Sequence, residues 1–152
     1  MIVDDLEPGR NPADLTIGVA VANFNQAITD RLLDGALKSL EGSGVGRVVI
    51  LRVAGAWELP VAAAHLIQDA DAVVAIGAVI KGDTDHYEVI VNESASGLTR
   101  VGLDAGRPVT NAVLAAHNLE QALDRSDSGP GNKGAEAAAA AVAAALVIPI
   151  NS

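Results

Sequence analysis

The chain contains no cysteine. That excludes a disulfide framework and a thiolate nucleophile alike, and it suits a reducing cytoplasm, the expected compartment. Aromatic residues are almost missing: Phe24, Trp57 and Tyr87 are all there are. Yet 50% of the residues are hydrophobic, so Ala, Val, Ile and Leu have to fill the core. Basic residues are scarce, 10 Lys and Arg against 19 Asp and Glu, for a net charge of -9. A nucleic-acid partner needs a Lys/Arg footprint on its phosphates, and docking on anionic lipid needs the same sign of charge; neither is expected here. No long hydrophobic run exists either. The longest apolar tract, Ala137 to Ile150, is 14 residues and is broken by Pro149, whereas a membrane span needs ~20. The opening MIVDDLEPGR is acidic, unlike a secretory signal. Also missing are a Walker loop, Gly-x-Ser-x-Gly, and Gly-x-Gly-x-x-Gly at a strand end.

What is present is an alternation of apolar strands and helices. With 152 residues the chain can build one domain with a proper core. No internal repeat or linker appears, so a single domain over 1–152 is expected. Residues 1–15, with Pro8, Gly9 and Pro12 among acids, read as an arm or an edge strand. Ile17 to Ala22, Arg47 to Val53, Ala72 to Val79 and Val109 to Ala115 read as buried strands. Between them, Ile28, Leu32, Leu33, Ala36, Leu37 and Leu40 recur at helical spacing from about Gln26, and Gly42-Ser43-Gly44 closes that helix. Further helices are expected from about Pro60 to Gln68 and from Asp83 to Val101. A short one starts at Asn118, with Gln121 placed as in a capping box, and a last one runs from Lys133 to Val147 behind Asn132. The last helix is almost solid alanine. A helix that is apolar all round is buried, and in so small a domain a second subunit is one way to bury every face. A homo-oligomer is therefore expected. Four such strands imply a parallel α/β sheet with helices on both faces and ligands at the strands' carboxyl ends.

One stretch organises the chemistry: Gly77 to Val91, GAVIKGDTDHYEVIV. An apolar strand ends in Lys81-Gly82-Asp83-Thr84, and a helical pattern begins at once with His86 in its first turn. Unpaired N–H groups at a helix start, with the dipole's positive end behind them, make an anion site. Gly82 lets a ligand approach the backbone, and Thr84 adds a hydroxyl. An imidazole titrates near ~6.5 in water and suits proton transfer. The stretch therefore reads as a phosphate cradle beside an acid/base, against the plainer alternative of an ordinary turn with a surface histidine. Phe24 and Trp57 also fall at strand ends, which suggests a flat ligand stacked on one of them; the alternative is that both rings fill core. Glu58 could accept hydrogen bonds from a polyol or simply be a solvated first-turn acid. Asp83, Asp85 and His86 match no zinc spacing, so no metal is expected. His65 and His117 read as ordinary. Arg125 ends a short helix, where a cation already suits the dipole, and becomes a phosphate ligand only if the fold brings it to one.

Taken together, these pieces resemble the lumazine synthase family. They are Phe24-Asn25 with Ile28-Thr29; Gly55-Ala56-Trp57-Glu58-Leu59-Pro60; Gly77 to Thr84 with His86; and Asn92-Glu93. After these come Pro108-Val109, Val113-Leu114, Glu120-Gln121-Ala122 with Arg125, and Asn132-Lys133-Gly134. The resemblance spans about Ile17 to Ala145 and rests on joint order and spacing. It implies a three-layer α/β/α sandwich of flavodoxin-like kind and a cofactor-free condensation. A ribitylaminouracil amine attacks the ketone of 3,4-dihydroxy-2-butanone 4-phosphate, phosphate leaves, and the ring closes with loss of water. It implies His86 as proton shuttle, with Asp83, Thr84 and Arg125 on the phosphate. Phe24, Ala56, Trp57, Glu58, Ala78, Val79 and Ile80 would seat the pyrimidine and ribityl chain. It also implies a pocket between subunits of a pentamer, with Asn111, Arg125 and Lys133 from the adjacent chain. Pentamers that close into icosahedral shells, and riboflavin synthase as a partner, belong to the same expectation. Ala54 departs from a usual Pro, Asn111 from a frequent Phe, and Ala115-Ala116 from a polar pair. The alternative from another class is a catalytically weak paralogue serving as a shell or flavin-binding assembly; archaeal-type riboflavin synthase fits the Gly82-to-His86 motif less well.

Overall fold

A computed structural model describes residues 1–148; Pro149 and Ile150, the expected break and end of the last apolar tract, lie outside them. Four strands, β1 (Thr16–Ala22), β2 (Arg47–Val53), β3 (Ala72–Ile80) and β4 (Val109–Ala116), form one parallel sheet in the order β2-β1-β3-β4. Five α-helices join and cover them: α1 (Gln26–Gly42), α2 (Leu59–Leu66), α3 (His86–Ala105), α4 (Leu119–Ser126) and α5 (Lys133–Val147). The chain first steps from β1 to β2, then returns across β1 to reach β3 and β4. The strand order therefore reverses between β1 and β3, and a crevice opens there at the carboxyl ends of the strands.

The central strands are apolar on both sides because both sides are covered. Ile17, Val19, Val21, Val74 and Ile76 face one way, against α1 and α5. Ala20, Ala22, Val73 and Ala75 face the other way, against α2 and the middle of α3 at Leu98. This is the three-layer α/β/α arrangement expected from the sequence. The outer strand β2 is less buried than its composition suggests, with Ile50 41% exposed, because it has a neighbour on one edge only.

Two helix starts follow their caps. Asn118 accepts from the amide of Gln121 at 2.9 Å, while the Gln121 side chain accepts from the amide of His117 at 2.9 Å, one residue earlier than in a strict capping box. Asn132 accepts from the amide of Ala135 at 3.0 Å. Its Nδ2 donates to the carbonyls of Ser126 at 3.0 Å and Arg31 at 3.2 Å, so one buried amide fastens α5 to α4 and α1. Glycine is required at this junction: a Cβ on Gly35 would collide with the Asn132 side chain, and one on Gly134 with the carbonyl of Leu32.

α3 starts three residues later than its pattern suggests, at His86 rather than Asp83. The Thr84 hydroxyl accepts from the His86 amide at 3.4 Å, a local bond that competes with helix formation in Asp- and Thr-rich stretches. α5 buries Ala137, Ala138, Ala141, Val142 and Ala145 within the chain but leaves Ala139, Ala140 and Ala143 exposed. An all-round burial is thus not met by one chain alone. Residues 1–9 carry no regular structure and form an arm rather than an edge strand. Asp71, at the foot of β3, holds the arm's base: one carboxylate oxygen pairs with Arg10 at 2.8 Å and the other accepts from the Thr16 amide at 2.8 Å. Among the described residues no helix is long and apolar enough to cross a membrane.

Candidate active site

An open cavity of about 390 Å³ lies in the crevice where the strand order reverses. Three segments wall it, each beginning where a strand ends. After β1 come Phe24 and Asn25. After β2 come Gly55, Ala56 and Trp57. The end of β3 and the start of α3 supply Ala78, Val79, Ile80, Gly82, Thr84, His86, Tyr87 and Ile90. Residues more than fifty positions apart thus meet because parallel strands deliver every carboxyl end to the same edge.

Phe24 is 72% exposed and Trp57 58% exposed, so neither ring fills core. They stand as apolar surface at the cavity's rim, free to stack on a planar ligand. Trp57 is held out by a 3₁₀ turn, Ala56–Glu58, in which the amide of Glu58 donates to the carbonyl of Gly55 at 3.2 Å. Pro60 follows in the first turn of α2, where its missing N–H costs nothing. Gly82 has ordinary backbone geometry, and a Cβ placed there would meet nothing within 4 Å. The fold does not need glycine at this point; the small residue leaves open space beside the backbone.

The later helix start still leaves free amides at this turn. His86 is the first residue of α3, and Asp85 at its N-cap makes no side-chain capping bond. Among the described residues the amides of Gly82, Asp83, Thr84 and Asp85 have no acceptor. They lead into the positive end of a 20-residue helix. The imidazole of His86 is exposed and opens on the same cavity as the Thr84 hydroxyl. Tyr87 packs edge-to-face with His117, ring centroids 6.3 Å apart, tying the start of α3 to the end of β4. His117, read as ordinary, is exposed and meets the Tyr87 ring beside the site.

Strand parity adds a feature of the wall. In a parallel ladder a residue's N–H and C=O point the same way and alternate along the strand. Val73 and Lys81 donate toward the β4 side, to Pro108 and Ala116. Ala78 and Ile80 therefore turn toward β1, whose pairing with β3 has ended at Val21–Ile76. The Ile80 backbone faces the gap.

Two expected residues do not line this cavity: Glu58, half-buried in its turn, and Asp83, exposed before α3. Three others gather elsewhere. Asn111, Arg125 and Lys133 line a second cavity of about 550 Å³ between β4 and α5. Asn111 is anchored there by accepting from the Val113 amide at 2.8 Å. Lys133 pairs weakly with Glu136 at 3.2 Å on the surface. Arg125 makes no ion pair or side-chain hydrogen bond among the described residues; the α4 carbonyls that it could cap are taken by Arg31 instead. Asn25, Tyr87 and Ile90 are wall residues that the sequence reading left unassigned. The signal for Asn25 was its place at a helix start directly after a strand.

Fold and cavities define a parallel α/β protein with an open, aromatic-rimmed cavity at a strand-order reversal. Comparison with known proteins carries this further. The family model of 6,7-dimethyl-8-ribityllumazine synthase matches residues 14–148. A 6,7-dimethyl-8-ribityllumazine synthase from Mycobacterium sp. (strain KMS) is 44% identical, covering 96% of this chain and 92% of the relative. That of Mycolicibacterium gilvum (strain PYR-GCK) is 43% identical, over 93% and 90%. That of Mycobacterium leprae (strain TN) is 42% identical, over 93% and 89%. The chain belongs to the 6,7-dimethyl-8-ribityllumazine synthase family.

Proposed function

We propose that this protein condenses 5-amino-6-(D-ribitylamino)uracil with 3,4-dihydroxy-2-butanone 4-phosphate to 6,7-dimethyl-8-ribityllumazine, releasing phosphate and water in riboflavin biosynthesis. The observation that carries the reading is the meeting of Phe24, Trp57, Thr84 and His86 in one open cavity. A stacking surface, an anion cradle and a proton-transfer group are the parts this reaction needs.

The uracil lies against Phe24, Ala56 and Trp57 and along Ala78-Val79-Ile80, with Glu58 toward the ribityl chain. The phosphate rests on the amides and hydroxyl of Asp83-Thr84. The amine attacks the ketone, and His86 moves protons as the carbinolamine loses water to the imine. A proton then leaves the hydroxyl-bearing carbon next to the imine, again within reach of His86, and phosphate is eliminated from the terminal carbon beyond it, leaving an enol. The enol left behind rearranges to a ketone, the ribityl-bearing amine attacks it, and loss of a second water closes the ring. No resident cofactor takes part.

Asn111, Arg125 and Lys133 serve the site of an adjacent protomer. Their gathering in a separate cavity, with an uncommitted Arg125, and the exposed alanines of α5 support this reading. A homo-oligomer of pentamers, closing into an icosahedral shell, belongs to the same proposal, as do a cytoplasmic location and riboflavin synthase as partner. Mass photometry measures the assembly, and co-purification tests the partner. Mixing both substrates with pure protein and following the lumazine chromophore tests the activity. A rate no higher than the uncatalysed background overturns it and leaves the shell-protein reading.

A further inference from the structure

Asn25 has no role in the scheme above, yet its conformation is the odd one in the chain. With φ 60 and ψ 48 it is the one non-glycine residue at positive φ among the described residues. Glycine adopts that conformation at less cost. Asparagine at a helix start normally repays its place by capping the first turn with its side chain. Here no such bond forms. The side chain turns away from α1, and its Nδ2 donates to the carbonyl of Ala78 at 2.8 Å.

That carbonyl lies just beyond the last β1–β3 pair, Val21–Ile76, where the two strands part and the cavity begins. No backbone group of β1 reaches it. On its other side the same turn is fastened to the end of β2. The amide of Asn23 donates to the carbonyl of Val53 at 2.8 Å, and that of Phe24 to the carbonyl of Ala54 at 2.9 Å. Residues 23–25 therefore tie three strand ends together, and among the described residues the Asn25 amide is the only tie across the crevice itself.

We propose that Asn25 is a positioning residue for the uracil half of the site. By holding the Ala78 carbonyl it sets how far the Phe24 ring stands from Val79 and Ile80, and so the width of the slot for a flat heterocycle. The proposal rests on the reading of this cavity as the uracil seat. It does not extend to the phosphate end, where among the described residues Thr84 and His86 make no hydrogen bond to residues 23–25.

Asn25→Gly separates the two duties, since it keeps the left-handed turn and removes the amide. The full-length protein is titrated with 5-amino-6-(D-ribitylamino)uracil, following the fluorescence of Trp57, which is the only tryptophan. KM for both substrates and Tm are measured alongside. Without the tie the binding-ready slot is less populated, which raises Kd and KM for the uracil by up to about tenfold. KM for the butanone phosphate stays within about twofold, a split that general damage does not produce. Tm changes by only a few degrees, because relief of the left-handed turn by glycine offsets part of the lost hydrogen bond. Asn25→Asp keeps the turn and the size but sets an acceptor against the Ala78 carbonyl, so it loses uracil affinity at least as far. Unchanged uracil binding in Asn25→Gly overturns the proposal, and so does an equal loss for both substrates with a fall in Tm. If the wild-type protein itself gives no titration, the reading of the cavity fails, and the two failures are distinct.

Discussion

Replacing Asn132 by alanine removes three hydrogen bonds from a side chain that is 2% exposed. The three do not weigh equally. The Ser126 carbonyl keeps the Nε of Arg31 at 3.3 Å after the change, so its loss is partial. The Arg31 carbonyl belongs to the interior of α1 and retains its helical partner. The Ala135 amide, in the first turn of α5, has nothing else, and losing an asparagine N-cap costs about 1 kcal/mol. Desolvated polar groups left short of partners add about 1–3 kcal/mol. The sum is about 2–4 kcal/mol, a large share of the ~5–15 kcal/mol that holds a domain together. In a chain of this size that is a fall in Tm of roughly 5–15 °C. The assay is urea denaturation at fixed protein concentration, since assembly shifts apparent stability by mass action. Arg125 precedes Ser126 and Lys133 follows Asn132, so KM for the phosphate substrate should rise with the loosened junction. A destabilisation under about 1 kcal/mol would refute the view that this amide holds α1, α4 and α5 together.

Three further outcomes are expected. Arg125→Ala should raise KM for the butanone phosphate more than for the uracil; an equal rise in both would remove Arg125 from the phosphate. His86→Ala should slow turnover, but by less than the ~10²–10⁴ ascribed to general acid–base groups, because imine formation also proceeds in solution; an unchanged single-turnover rate would exclude the imidazole from the mechanism. Ala143→Glu places a charge on the exposed face of α5 and should leave the chain folded, since glutamate is nearly as good a helix former as alanine. Mass photometry should then show smaller particles, and an assembly of wild-type mass would show that this face is not an interface.

The strands were legible to within a residue because each is a run of Val, Ile, Ala and Leu, which only a sheet covered on both faces can bury. Both asparagine caps could be read as well, since Asn118 and Asn132 stand directly before helical patterns. The start of α3 could not. Asp83-Thr84-Asp85 carries the acids and hydroxyl of a good first turn, and only the structure shows the Thr84 hydroxyl bonding back to hold the turn out of the helix. The cavity itself was half legible. Phe24, Trp57, Thr84 and His86 each follow a strand, so their meeting required only that the strands be parallel. Asn25 stood in the motif after the first strand but drew no role, because its side chain makes a contact across 53 positions of sequence that local spacing does not record. Asn111, Arg125 and Lys133 illustrate a different limit: spacing along the chain gives no hint that β4 and α5 gather them into a cavity apart from His86.

The Asp71 clamp has a practical consequence for anyone modifying the protein. Because Arg10 is moored at the foot of β3, an appended fluorophore or affinity handle on Met1 starts its path at the end of the sheet remote from ligand entry. Nine strand residues, about 30 Å of extended backbone, separate that anchorage from the rim near Ile80. Breaking the mooring with Arg10→Ala would free a longer leash, and the same label would then sweep a wider volume.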